Sequence, residues 1–136
     1  MTVQNDTTLR NGYGSTWQSN VGASPKIRIY SGAPPTNCAA AASGTLLAEF
    51  ALGATPWSTP ASGAFSLVIG GGISTTGLAT NTAGHYRIVN NAGSLCLEQG
   101  TVTATGGGGD ATIDNTSIVT GQQVNITGWS KTYAGA

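Results

Sequence analysis

His85 is the single histidine of the chain, and histidine alone among side chains changes charge near neutral pH when unperturbed. A general base would therefore be sought there first. No local acidic, Ser or Cys motif supplies it with a partner, so it reads as a strand histidine beside Tyr86 meeting a neighbour or solvent. Serines and threonines abound, yet no GxSxG elbow occurs, and a hydroxyl without an identified base is a weak nucleophile. Two carboxyls flanking one bond would suit glycoside hydrolysis. Glu49 and Glu98 both fall on strand-like segments, and nothing beyond that recommends the pair, so surface solubility is preferred.

Metal and phosphate chemistry finds equally little. Gly106-Gly-Gly-Gly109-Asp110 continues Asp-Ala-Thr, whereas a phosphate-cradling loop needs a following Gly-Lys-Ser/Thr. A calcium repeat would need a residue between the last glycine and the Asp, and tandem copies. Asp110, Thr112 and Asp114 would share one strand face. A lone surface calcium site is thus the alternative to a flexible hairpin loop, and the loop is preferred. Cys38 and Cys96, 58 positions apart, lack the CxxC or Cys/His clustering of a zinc site. They read as two small buried thiols, with a bridge left open until their separation in space is known. No catalytic, cofactor or metal residue is assigned, and no enzyme activity is expected.

What must position any site is a single small domain. The chain has 136 residues, within the size of one domain and enough to bury a core without metal or disulfide support. Twenty-one glycines are about twice the usual ~7% share, and 7% charged residues compare with a usual ~25%. Five basic side chains (Arg10, Lys26, Arg28, Arg87, Lys131) balance five acidic ones (Asp6, Glu49, Glu98, Asp110, Asp114). With no excess of cations, sequence-independent nucleic-acid binding has no electrostatic source. Twenty-five Leu, Ile, Val and Phe residues make a thin but usable core. No apolar run approaches the ~18 residues of a membrane span. The start, Met1 to Asp6, lacks the basic and apolar regions of a secretory signal. A soluble protein is expected, and the triplets at Asn5, Asn115 and Asn125 are then without consequence for glycosylation.

Residues 1–24 are expected to form an N-terminal helix or arm. Leu9, Tyr13, Trp17 and Val21 recur every four positions, which places them on one helical face. Asp6 or Thr7 can cap the start, and Gly22 followed by Pro25 suits the end. Gly12 and Gly14 each cost roughly 1 kcal/mol against Ala, so the helix needs a partner surface, either the domain's own sheet or another subunit.

From residue 25 to 136 the punctuation is that of strands. Lys26–Tyr30 alternates, with Ile27 and Ile29 on one face. Leu46–Leu52, Ala64–Ile69, His85–Asn90, Leu95–Thr103, Ala111–Asp114 and Val124–Ser130 follow, His85–Asn90 and Leu95–Thr103 forming a hairpin across Asn90–Gly93. Closely spaced strands without helical periods predict an all-β domain, an antiparallel β-sandwich or barrel carrying the short N-terminal helix or arm. Trp57, in a proline-flanked loop, and Trp129 join the helix aromatics as interface anchors or core plugs.

Several blocks resemble a family of small tailed-bacteriophage and prophage proteins. They are Lys26-Ile-Arg-Ile-Tyr-Ser-Gly-Ala-Pro-Pro35, Asn37-Cys-Ala-Ala-Ala-Ala-Ser-Gly-Thr-Leu-Leu-Ala48, Gly84-His-Tyr-Arg-Ile-Val89, Gln99-Gly-Thr-Val102 and Gly109-Asp-Ala-Thr-Ile-Asp-Asn-Thr-Ser-Ile118. The likeness covers about residues 20–130. It implies a virion component, made in the host cytoplasm. Within that class the expectation is a homo-oligomeric capsid decoration (cement) protein bridging copies of the major capsid protein, without nucleic-acid or membrane partners. Leu9, Tyr13, Trp17, Trp57 and Trp129 are its expected contact residues. A tail component and a carbohydrate-binding module using Trp57 or Trp129 are the alternatives.

Overall fold

The computed structural model describes residues 3–133. One helix, α1 (Thr7–Val21), precedes nine strands: β1 (Lys26–Ser31), β2 (Leu46–Ala51), β3 (Ala64–Ser66), β4 (Ile73–Thr76), β5 (Asn81–Val89), β6 (Cys96–Ala104), β7 (Ala111–Ile113), β8 (Ser117–Ile118) and β9 (Gln123–Thr132). The protein is mostly β with one short N-terminal helix. The sheet runs β2-β1-β5-β6-β7-β9-β3, with β4 also on β9 and β8 on β5.

The sheet is mixed, which departs from the antiparallel sandwich or barrel expected from strand spacing. β6 and β7 run parallel, Val102 opposite Ala111 and Ala104 opposite Ile113. Parallel neighbours normally need a crossover of about a dozen residues. Here residues 105–110 suffice because Gly106 and Gly108 take φ of +85° and +82°, a region open to glycine and costly to other residues. The glycine run is therefore a tight reversal between parallel strands, not a hairpin loop.

β9 curls the sheet back on itself. Its residues Gln123–Ile126 pair with β4 and Ser130–Thr132 with β3, while Ile126–Trp129 face β7. Just beyond β4, Leu78 N–H donates to Leu47 O of β2 (2.8 Å) and Gly77 N–H to Gln122 O (2.7 Å). The two ends of the sheet are thus drawn together. Ile27, Ile29, Phe50, Tyr86, Ile88, Ile113, Ile126 and Trp129 lie buried in one continuous core.

Ile27 and Ile29 are fully buried, as the alternation of β1 predicts. The opposite face of β1 and β5 is covered as well. Residues 32–45 fold across it, and three fastenings hold them there. Arg87 Nη2 donates to the carbonyls of Cys38 (2.9 Å) and Ala40 (2.8 Å), Gln99 Nε2 donates to Pro35 O (2.6 Å), and Cys38 is bonded to Cys96. The cysteines are a disulfide with Cα atoms 5.3 Å apart, not the pair of thiols favoured from their spacing. The bridge forms because the covering loop crosses the start of β6, a meeting that a separation of 58 residues conceals.

α1 begins where Asp6 Oδ2 accepts from Thr8 N–H (2.8 Å) and ends at Gly22, whose φ is +80°. The face it buries includes Trp17 and Val21 of the expected stripe but not Leu9 and Tyr13. Arg10, Gly14 and Val21 are buried and Trp17 is half-buried, whereas Leu9 and Tyr13 are 47% and 43% exposed. The cause is Gly14. A Cβ there would stand 2.9 Å from Pro60 Cγ and 3.1 Å from Phe65 Cδ1, so the helix backbone approaches the domain along its glycine. That choice rotates the apolar pair Leu9 and Tyr13 outward.

Candidate functional site

Three of the five expected contact residues gather inside the fold. Trp17 from α1 lies against Trp129 of β9, ring centroids 5.1 Å apart with 26° between planes. It also meets Trp57 edge-on at 4.9 Å and Phe65 at 5.1 Å. Trp57 and Trp129 are 9% and 4% exposed, so Trp17, Trp57 and Trp129 form an intramolecular aromatic cluster rather than a free surface. Such pairs contribute about 0.5–1.5 kcal/mol each beyond area burial, and the cluster is what docks α1 onto the sheet.

A polar network runs along the rim of this cluster. Trp129 Nε1–H donates to Tyr86 Oη (2.9 Å), and Tyr86 O–H donates to Glu98 Oε2 (2.9 Å). Glu98 Oε1 accepts from Lys131 Nζ (2.6 Å) and from Trp17 Nε1–H (3.3 Å). α1, β5, β6 and β9 are thereby tied through one carboxylate. Burial, reinforced by the Glu98 charge, holds the Tyr86 hydroxyl well above its ordinary pKa. It stays a donor at neutral pH. Gly100 makes room for the ring, since a Cβ there would meet Tyr86 Cε1 and Asp110 Oδ2 at 2.8 Å each.

A cleft of about 350 Å³ opens beside the network, lined by Tyr86, Glu98, Gln99, Asp110, Lys131 and neighbours on β9. Its charged groups are already engaged. Glu98 accepts three hydrogen bonds as above, and Asp110 Oδ2 accepts from Thr101 N–H and Thr101 O–H, both at 3.0 Å. The arrangement clamps α1, β5, β6 and β9 together.

The remaining candidates are separated by the fold. Glu49 sits opposite Arg28 on the loop-covered face, its carboxylate 2.7 Å from Arg28 Nε. Glu98 lies opposite Ile88, toward the aromatic core. The two carboxyls occupy opposite faces of the sheet and cannot flank one bond. His85 is fully buried. Its Nδ1 lies 2.8 Å from Gly32 O, and its ring stacks on Tyr30 at 5.3 Å and 11°. Asp114 accepts from the backbone N–H and the side-chain amide of Asn125 at 3.1 and 2.8 Å. No group of three or more His, Cys, Asp or Glu side chains able to hold a metal occurs among the described residues.

Of the predicted contacts, Leu9 and Tyr13 are the exposed ones, Tyr13 with its ring 5.7 Å from that of Tyr133. Adjacent on the outer side of α1, they are accompanied on the preceding arm by Val3, 77% exposed. The Glu98 network was missed by sequence reasoning. A glutamate between Leu97 and Gln99 carries no mark of facing a tryptophan cage. No helix among the described residues is long and apolar enough to cross a membrane. No protein-family model, no curated protein and no solved structure matches the chain.

Proposed function

We propose that this protein is a structural component of a tailed-phage virion, a decoration protein that stabilises the head by bridging major capsid protein subunits as a homo-oligomer. The observation that carries the reading is the outward pair Leu9 and Tyr13 with Val3 before them. These apolar side chains project from a helix that is itself anchored through Trp17. A helix so fixed presents its outer face in a set orientation, which favours adhesion because little side-chain and backbone order remains to be imposed on binding. Only ten charged residues occur in the chain, so contact with a capsid would rest on apolar and backbone groups and be insensitive to salt. The engaged state of Glu98 and Asp110 and the burial of His85 favour an architectural over an enzymatic role.

Burial of Trp57 and Trp129 weighs against a carbohydrate-binding module that would stack sugars on them. Co-sedimentation of the purified protein with capsid shells tests the proposal. Saturable binding that persists in high salt and is lost in Leu9→Ser/Tyr13→Ser supports it. Binding to tails in place of heads would move the protein to the tail, and absence of binding to both would remove the virion role.

A further inference from the structure

The face of β1 and β5 beneath residues 32–45 holds more positive charge than the fold neutralises. Lys26, Arg28 and Arg87 project on this side of the sheet, and one carboxylate serves them. Glu49 lies 2.7 Å from Arg28 Nε and 3.8 Å from Lys26 Nζ. Arg87, 5% exposed, pairs with no carboxylate among the described residues. Its hydrogen bonds all leave from Nη2, to the carbonyls of Asn37, Cys38 and Ala40. Its Nε–H is buried with no partner among those residues. A buried cation with an idle donor is costly, and such a group calls for an ion or another partner.

A pocket of about 280 Å³ adjoins the Arg87 side chain. Arg28 and Arg87 line it together with the hydroxyl-bearing Tyr30 and Ser94, the alanine run 39–42 and the Cys38–Cys96 bridge. Arg28 commits Nε to Glu49 and Nη1 to Gly93 O (3.4 Å), and its guanidinium also faces the Tyr30 hydroxyl. Gly93, at φ +74°, lets the guanidinium settle, because a Cβ there would collide with Arg28 Nη2. The small alanine side chains leave the space open, and the disulfide pins the lid.

We propose that this pocket binds a small tetrahedral oxyanion of the phosphate or sulfate class, held between Arg28 and Arg87. Two guanidinium groups offer planar, directional donors matched to such oxygens, and the hydroxyls of Tyr30 and Ser94 add uncharged ones. Arg10 marks the contrast. It too is buried with its Nε idle, but it is pressed against Gly63, where a Cβ would collide with its Nη1, and it donates to the carbonyls of Ser62 and Tyr133.

The test is a titration of the full-length, disulfide-intact protein with inorganic phosphate at constant ionic strength, observed by NMR at the arginine Nε–H groups, with chloride as control. The Arg28 and Arg87 signals should shift together and saturably with phosphate and stay in place with chloride. Arg28→Gln spares the Arg87 clamp on residues 37–40 and should weaken phosphate at least about tenfold, the share of one charge-assisted hydrogen bond. Unmoved arginine signals, equal shifts with chloride, or undiminished affinity in Arg28→Gln would each overturn the proposal. Should that variant fail to fold, the wild-type titration decides alone.

Discussion

Replacing both bridged cysteines, as Cys38→Ser/Cys96→Ser, should lower the melting temperature by about 15 °C. The bond joins positions 58 residues apart and encloses β2 through β5. In the chain-entropy description, a loop of that length restrains the unfolded ensemble by about 4 kcal/mol. Unfolding entropy near 2.1 cal/mol/K per residue gives roughly 0.29 kcal/mol/K for a chain of this size, and the quotient is the quoted shift. Arg87 and Gln99 still fasten residues 32–45 to the sheet, so the folded state should survive with a near-native near-UV spectrum. Calorimetry of the oxidised protein and the double variant supplies the comparison. A drop below about 3 °C would refute the reasoning, because it would mean that closing this loop adds nothing to what the Arg87 clamp already secures.

Three further outcomes follow from the packing. Gly12 faces open space while Gly14 faces Pro60 and Phe65, so Gly12→Ala should stabilise by about 1 kcal/mol. Gly14→Val should destabilise by about 2 kcal/mol through overpacking, and urea titration separates the two. Tyr86→Phe removes the acceptor of Trp129 Nε1–H and one donor to Glu98, which should cost about 1–3 kcal/mol in the same assay. The Tyr86 pKa is raised in the folded protein, so its contribution is full below the unfolded value of 10.0. It should fade as pH climbs above that value, a loss absent from Tyr86→Phe in alkaline melts. At the other extreme the carboxyls of Asp6 and Asp114 are both lowered. Backbone donation from Thr8 dominates for Asp6; for Asp114 the upward push of burial is outweighed by Asn125 and the neighbouring backbone. Stability should therefore decline as pH falls below 3.8, and Asp114→Asn should flatten the acid limb.

Much of the strand pattern was legible because burial on one face leaves a period of two. Ile27 and Ile29 declared β1, and the Asn90–Gly93 turn declared the β5–β6 hairpin. β4 and β8 escaped notice since Ile73–Thr76 and Ser117–Ile118 are short and mostly polar. The parallel β6–β7 pair escaped because a glycine run looks alike whether it reverses the chain or turns a hairpin. Hydrophobic spacing placed Trp17 and Val21 correctly but misplaced Leu9 and Tyr13, for a related reason. Glycine adds no hydropathy, yet Gly14 decides which side of α1 can approach Pro60. The Cys38–Cys96 bond, the covered face holding His85 and Arg87, and the Glu98 network all depend on where residues 32–45 and α1 settle. Those are meetings between distant segments, for which local periodicity has no signal.

The most direct examination is an electron cryomicroscopy map of intact virions at a resolution that traces strands. The account predicts the nine-stranded curled sheet repeated over the outer surface of the head, with α1 turned so that Leu9 and Tyr13 touch the capsid shell. Heads bare of this density would contradict it.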